Sequence, residues 1–206
     1  MTPGKALRRL LPVALFSAAA AFSFAFSTLG ENGGVHQASH RQSERFSSIA
    51  LTTQHGEPVR FYDDLVRGRT VIVNLMYTSC GESCPADMAA LAKLNELLGP
   101  RMGRDILMLS LSIDPVGDTP ERLKAYWQTF GAKPGWLFLT GKPAAVDQLR
   151  RELGAYDLDP AIDADPRQHA GFITVGNDRS DRWTALPLHM HTRQLVGTIL
   201  RIARGG

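Results

Sequence analysis

Hydrophobic residues in this chain follow two patterns, short continuous runs and runs that recur every three or four positions. Continuous apolar runs rich in Val, Ile and Leu are typical of strands buried on both faces, and apolar residues three or four apart predict amphipathic helices. The predicted strands cover residues 49–53, 59–62, 70–77, 106–113, 136–139 and 172–175. The predicted helices cover residues 86–98, 120–130 and 143–153 and a C-terminal segment with Leu195, Val196, Ile199 and Leu200.

Turn-forming residues mark the ends of several of these elements. Gly99-Pro100 closes the first helix, and Thr119-Pro120 is a typical helix start because threonine caps a first turn into which proline fits. Strands and helices alternate along the chain. The sequence therefore predicts an α/β fold with a mostly parallel central sheet and helices on both faces.

The positive charge of the chain is concentrated at its N-terminus. The sequence has 23 basic and 20 acidic residues, a net charge of +3. Lys5, Arg8 and Arg9 precede residue 30 and no acidic residue does, so the remainder carries 23 − 3 = 20 basic and 20 acidic residues. A neutral body lacks the charge excess that binds phosphate backbones, so we expect no nucleic-acid partner.

An uncharged, mostly apolar segment, residues 10–29, follows these three basic residues. Its length matches a membrane-spanning helix, and the preceding charges favour a cytoplasmic N-terminus. A cleaved signal peptide is the alternative, although its apolar region is usually shorter. The body is expected at the periplasmic face of a bacterial inner membrane, or soluble in the periplasm after cleavage.

Residues 30–48 are polar, contain glycine and have few large apolar side chains, which predicts a flexible tether. We therefore expect three regions in the chain. These are a signal or membrane anchor at residues 1–29, the tether at residues 30–48 and one domain at residues 49–206.

Both cysteines lie between a predicted buried strand and the first long helix. Sites in open α/β sheets lie at the carboxyl ends of strands, which makes this position suggestive of chemistry. Pro85 favours a helix start, so Cys80 and Cys84 are expected in a loop at the positive end of a helix, which favours thiolates. Their spacing permits a disulfide, and it also permits both sulfurs to bind one soft metal ion, Cu(I) before zinc. The organisation is thioredoxin-like.

Two sulfur ligands under-coordinate most metal ions, so we expect a third ligand, and histidine is the candidate. His169 lies just before the strand predicted at residues 172–175, from which a side chain can face the cysteine loop. His189 and His191 flank Met190 and are candidates for a second copper contact, although alternation in an extended segment also explains their spacing. The residue pattern alone does not choose among these histidines.

Four motifs together resemble the Sco/SenC family of thioredoxin-like copper chaperones of cytochrome c oxidase assembly. They are Tyr77-Thr78-Ser79-Cys80 with Cys84-Pro85, Ser112-Ile113-Asp114-Pro115 with Asp118-Thr119-Pro120, Phe138-Leu139-Thr140-Gly141, and His169 before a late strand. The resemblance implies that Cys80, Cys84 and His169 bind copper, as Cu(I) or, with added ligands, as Cu(II). It further implies delivery of the ion to the dinuclear copper site of cytochrome c oxidase subunit II.

The chain departs from the family pattern at three places. Gly81 stands where proline is usual, Gln168 stands where aspartate is frequent, and residues 177–183 lack the usual glycine turn. Neither single replacement removes a ligand, but each can change the stiffness or hydrogen bonding of the site. Asp114 and Asp118 are expected to act in turn and cap chemistry, with a place for Asp114 beside the metal as the alternative.

A thiol–disulfide oxidoreductase is the alternative function. Cys80 would attack the disulfide of a partner, such as the acceptor's own copper-binding cysteines, and Cys84 would resolve the mixed disulfide. A thioredoxin-like protein would then reduce the pair again. Thiol–disulfide exchange does not require His169, whereas three-coordinate copper binding does. The need for this histidine therefore distinguishes a copper carrier from an enzyme, and we expect a copper carrier.

Overall fold

The strands and helices follow the predicted order over most of the chain. A computed structural model of the protein describes residues 41–81, 83–163, 165 and 171–205, without the side chains of Ser83 and Cys84. The strands are β1 (Ala50–Thr53), β2 (Pro58–Arg60), β3 (Thr70–Met76), β4 (Ile106–Ser112), β5 (Trp136–Thr140), β6 (Phe172–Asn177) and β7 (Arg182–Pro187). The helices are α1 (Ser83–Leu98), α2 (Pro120–Thr129), α3 (Pro143–Glu152), α4 (Pro160–Asp163) and α5 (Thr192–Ala203).

Within the described residues, the strands form one sheet in the order β2-β1-β5-β4-β3-β6-β7. The central strands β3, β4 and β5 are parallel, and the four other neighbouring pairs are antiparallel. The predicted mostly parallel sheet is therefore corrected to a mixed sheet with a parallel centre. The physical reason is that β1–β2 and β6–β7 are hairpins with short turns, which can join only antiparallel strands.

Helices cover both faces of this sheet, as predicted. Val71 and Val73 of β3 belong to one buried cluster and Ile72 to the other, because successive side chains of a strand point to opposite faces. Helices α1, α2 and α5 contribute to the cluster around Ile72, and α3 contributes to the cluster around Val71. The continuous apolar runs thus mark strands buried on both sides.

Helix α1 begins earlier than the sequence predicts. It starts at Ser83, so Cys84 belongs to its first turn and only Cys80 lies in the preceding loop. Pro85 is tolerated there because the first N–H groups of a helix have no partner within the helix. The prediction that both cysteines precede the helix was therefore wrong for Cys84.

The helix start at Thr119 is confirmed. Its side chain accepts a hydrogen bond from the Arg122 amide at 3.4 Å, and Pro120 is the first residue of α2. By contrast, the predicted strand at residues 59–62 ends at Arg60 and continues as a π-helical turn, Phe61–Val66. Phe61 and Leu65, four positions apart, are both buried, so packing favours a helical turn at this point.

Strand β7 was not predicted. It lies at the edge of the sheet and none of its residues is buried, so its hydrophobic pattern is weak. Its pairing with β6 also explains residues 177–183, which form the end of a hairpin with Asp181 in the left-handed region at φ 52°.

The part of the chain described here contains no helix with the length and apolar character needed to cross a membrane. The anchor or signal segment predicted at residues 1–29 lies outside the described residues.

Candidate functional site

Cys80 lies at the carboxyl end of β3, in the loop that leads into α1. Its amide donates a hydrogen bond to the Tyr77 carbonyl at 3.3 Å, and the residue is 9% exposed. Its sulfur is in a disulfide, and the one other cysteine of the chain is Cys84. Gly81 follows in open space, since a Cβ at this position would meet nothing within 4 Å. Packing therefore does not require glycine where the family usually has proline.

A buried carboxylate holds the loop that carries Cys80. Asp118 is fully buried and accepts hydrogen bonds from the Thr78 amide at 3.1 Å, the Thr78 hydroxyl at 2.5 Å and the Ser112 hydroxyl at 2.6 Å. The connection after β4 is thereby tied to the connection after β3, two residues before Cys80. Sequence reasoning assigned Asp118 to the start of α2 and missed this brace between loops.

Asp114 stabilises the turn that presents Asp118. Its carboxylate accepts a hydrogen bond from the Gly117 amide at 3.0 Å, and its carbonyl accepts one from the Asp118 amide at 2.8 Å. These contacts agree with the turn chemistry expected of Asp114.

The charge of Asp118 also affects a neighbouring phenol. Burial of Tyr126 raises the pKa of its hydroxyl, and the nearby Asp118 carboxylate raises it further. This hydroxyl is buried without a hydrogen-bond partner among the described residues. The carboxyl end of the central strands beside Cys80 thus holds one buried carboxylate and a partly buried phenol next to it.

A second buried carboxylate, Asp87 of α1, holds the entry to β6. It accepts a hydrogen bond from the Gly171 amide at 2.8 Å, and its other oxygen lies 2.5 Å from Nε2 of His189. The Gly171 carbonyl in turn accepts a hydrogen bond from the Leu188 amide at 2.8 Å. Helix α1, the start of β6 and the segment after β7 therefore meet at Asp87.

The candidate ligands differ in how far the structure describes them. Cys80 is described, whereas the side chain of Cys84 and all of His169 lie outside the described residues. His189 pairs with Asp87, and His191 is an exposed residue at the start of α5. Among the described residues, no three metal-ligating side chains cluster. The proposed set of Cys80, Cys84 and His169 therefore stays a prediction.

Arg150 holds the beginning of the connection from α3 to β6, on which His169 lies. Its guanidinium donates to the Ala155 carbonyl at 3.0 Å and to the Asp163 carboxylate at 2.7 Å. The hydrogen bonds from Arg150 and from the Asp157 amide hold the pKa of Asp163 well below its usual range. This connection thus has a fixed point at each described end, Arg150 near its start and Asp87 at Gly171.

The architecture defines a class, the thioredoxin-like proteins with one cysteine in the loop after a central strand and a second cysteine in the first turn of the helix that follows. The chain belongs to the SCO1/SenC family, whose model matches residues 36–204. This membership confirms the resemblance on which the sequence interpretation was based.

Individual relatives match over part of their length. A SCO2-like protein of Rickettsia prowazekii is 34% identical over 99 residues, which are 48% of this chain and 46% of the relative. The chain thus matches about half the length of the curated relatives.

Solved structures of the family share the fold. Yeast Sco1 with copper bound superposes with a TM-score of 0.61 at 20% identity, covering 77% of this chain and 91% of that structure. BsSco, a member of the Sco family of cytochrome c oxidase assembly proteins in which a disulfide switch is described, also has a TM-score of 0.61, at 18% identity, with 76% and 92% covered. At these identities the likeness establishes the thioredoxin-like fold alone.

Proposed function

We propose that this protein is a copper metallochaperone. Cys80, Cys84 and His169 bind one copper ion as cargo and release it to an acceptor, the dinuclear copper site of cytochrome c oxidase subunit II. The proposed location is the periplasmic face of the inner membrane, as expected from the N-terminal segment.

The hydrogen bond between Asp87 and Gly171 carries this proposal. Asp87 lies three residues after Cys84 in α1, a rise of about 4.5 Å at 1.5 Å per residue. His169 lies two residues before Gly171, a distance of about 7 Å at most for extended chain. The contact thus limits the separation of the two chain segments to a range over which thiol and imidazole side chains can meet.

The chemistry of the donor set fits copper. Two thiolates and a neutral imidazole are soft and borderline ligands that favour Cu(I). The disulfide at Cys80 must first accept two electrons and two protons from a dithiol reductant, which leaves as its own disulfide. Metal binding then displaces the thiol protons, so loading depends on pH as well as on redox state.

The family relationship supports both the cargo and the acceptor. Copper is bound in the structure of yeast Sco1, and BsSco is described as belonging to a family of cytochrome c oxidase assembly proteins. These are properties of those proteins, and we extend them to this chain on the basis of its family membership.

The proposal is tested by titrating the full chain, reduced in nonionic detergent without oxygen, with Cu(I) against a chelator of known affinity. We expect one copper ion per chain and no uptake by the Cys80→Ser, Cys84→Ser double variant. His169→Ala should weaken copper binding by at least about a hundredfold. Loss of a residue that only supports a ligand weakens metal binding by up to about a hundredfold, so loss of a direct ligand should cost at least as much. His55→Ala, an exposed histidine in the β1–β2 turn, is the control. Full occupancy in the double variant would disprove the carrier function.

A thiol–disulfide oxidoreductase is the second candidate, and the disulfide at Cys80 favours it. In this reaction the reduced pair transfers two electrons and two protons to an acceptor disulfide, and a Cys80–Cys84 disulfide forms as the acceptor's becomes two thiols. An acceptor peptide with a disulfide separates the two functions. His169→Ala should reduce this peptide at the wild-type rate if the chain is an oxidoreductase, whatever its copper affinity.

A further inference from the structure

A basic cavity lies at the end of the sheet opposite Cys80. It has a volume of about 300 Å³, and Thr70, Asp105 and Asn177 contribute to its wall. Thr70 begins β3 and Asp105 precedes β4, whereas Cys80 follows the other end of β3. The cavity is therefore separated from the cysteine loop by the length of the central strands.

Four exposed arginines line this cavity, which we call the arginine cavity: Arg67, Arg69, Arg104 and Arg179. The one acidic residue in its wall is Asp105, which already accepts a hydrogen bond from Nε of Arg101 at 2.9 Å. The lining alone thus carries four positive charges against one negative charge. This local excess contrasts with the neutral balance of the chain beyond residue 29.

Within the described residues, two of the four arginines pair with an acidic side chain and two do not. Arg67 pairs with Asp63, and Arg69 donates to the Asp64 carbonyl oxygen, which carries no net charge. Arg104 lies 3.5 Å from the Asp105 carboxylate that Arg101 already holds. The Arg179 guanidinium has no hydrogen bond or ion pair within the described part of the chain.

Several guanidinium groups around one small cavity fit an anion with many oxygen acceptors. The planar fork of arginine matches a phosphate group, to which it donates two parallel hydrogen bonds. The volume of about 300 Å³ is at the lower end of the range for small-molecule sites, so a phosphate group with a small substituent fits.

An anionic lipid headgroup and a free phosphate ester both present such a phosphate group. A surface with several basic residues attracts anionic headgroups and soluble anions alike, so the two sources must be distinguished by experiment.

We propose that the arginine cavity binds a phosphate group, supplied by an anionic phospholipid headgroup or by a free phosphate ester. The site is independent of the copper proposal, because it uses none of the candidate ligands.

Arginine footprinting tests this site in the full chain in nonionic detergent. Phenylglyoxal modifies accessible guanidinium groups, and mass spectrometry gives the rate at each arginine with inorganic phosphate, with phosphatidylglycerol in the micelles, or with phosphatidylcholine. At an anion concentration of about ten times the dissociation constant, the modification rates at Arg69 and Arg179 should fall about tenfold. The reason is that the fraction of protein without bound anion falls by the factor 1 + [L]/Kd. Arg193, an exposed arginine of α5 with no partner among the described residues, is the internal control.

The pattern of protection identifies the source. Protection by phosphatidylglycerol alone supports a lipid site, protection by inorganic phosphate alone supports a soluble anion, and protection by both supports a general phosphate site. Absence of protection in both arms, or equal protection of Arg193, would overturn the proposal.

A substitution provides an independent test. Arg179→Gln removes a guanidinium that makes no hydrogen bond or ion pair among the described residues, and the backbone bond of residue 179 to Asn177 remains, so the fold should be preserved. The affinity for the protecting anion should fall about tenfold, since a hydrogen bond to a charged group contributes about 1.5 kcal/mol. Arg193→Gln removes the same charge elsewhere and should leave the affinity unchanged. An equal loss in both variants would indicate unspecific attraction and contradict a site.

Discussion

Two connections of this fold carry the candidate copper ligands, and they are held in different ways. The cysteine connection, between β3 and α1, is short and is braced by Asp118, which is fully buried. The histidine connection, between α3 and β6, is long and is held at its described ends by Asp87 and Arg150. The contact at Gly171 also reaches solvent, since Asp87 pairs with His189, whose side chain is 56% exposed.

The difference follows from the length of chain that must be ordered. A short loop after a buried strand needs one further restraint, and a carboxylate that accepts three hydrogen bonds provides it without solvent. A long excursion has more conformational freedom to lose and therefore needs a restraint at each end. We therefore expect the largest losses on cutting the buried brace and smaller losses on cutting the ties of the histidine connection.

The largest effect is expected from Asp118→Ala. This change leaves the Thr78 amide, the Thr78 hydroxyl and the Ser112 hydroxyl without their buried acceptor. At about 1 kcal/mol or more for each unsatisfied group, the free energy of unfolding should fall by about 3 kcal/mol, measured by urea denaturation.

Asp114→Ala is the matched control for this prediction. It removes a carboxylate from the same turn, but one that accepts from the Gly117 amide in a partly exposed position. Its cost should be about 1 kcal/mol. Equal losses in the two variants would show that the turn, and not the brace to Thr78, holds the cysteine connection.

A smaller effect on stability is expected from Asp87→Ala, which cuts the tie between α1 and Gly171. We expect a loss of about 1–2 kcal/mol, because the Gly171 amide loses its acceptor while His189 turns to solvent. Amide hydrogen exchange at Gly171 should accelerate, and the affinity for Cu(I) should fall about tenfold, within the range for an outer-shell partner.

Glu96→Ala is the control for Asp87→Ala, since Glu96 is an exposed carboxylate of the same helix that pairs with Lys93. It should change neither the exchange of Gly171 nor the copper affinity. If Asp87→Ala gave faster exchange at Gly171 but left the copper affinity unchanged, Asp87 would have a structural role only, and copper binding would not depend on its contact with Gly171.

Sequence reasoning found what local pattern determines and missed what distant contacts determine. The central strands were predicted because their apolar runs are continuous, and α2 was predicted because Thr119-Pro120 is a local start signal. The bonds of Asp118 to Thr78 and of Asp87 to Gly171 join residues 40 and 84 positions apart, which no local periodicity reports. The antiparallel direction of the outer strands was not predicted for the same reason, because the direction of a strand in a sheet depends on its pairing with distant residues.

The candidate ligands also differ in whether the local sequence pattern identified them. Cys80 and Cys84 were identified from their place between a strand and a helix, whereas His169 required the family resemblance because a lone histidine carries little local signal. Membership of the SCO1/SenC family confirms the resemblance, and the three-ligand set itself stays a prediction for copper titration.

The smallest effect in this series is expected from the Arg150–Asp163 pair, and pH reveals it. Hydrogen bonds from Arg150 and the Asp157 amide hold the pKa of Asp163 well below its usual range, so the folded chain keeps this carboxylate ionised where the unfolded chain binds a proton. The pair therefore stabilises the fold fully above the ordinary aspartate pKa of about 4 and loses this contribution as pH falls further. Urea midpoints between pH 7 and pH 3 should fall less steeply for Asp163→Asn than for the wild type.

Asp147→Asn is the comparison that decides whether this tie belongs to the histidine connection. Asp147 also accepts from Arg150, at 2.8 Å, and the same guanidinium lowers its pKa, but its side chain is 50% exposed against 12% for Asp163. Solvent screens the more exposed pair, so its removal should change the pH slope less. If the two variants gave equal slopes, Arg150 would stabilise its own helix, and the histidine connection would depend on Asp87 alone among its described ties.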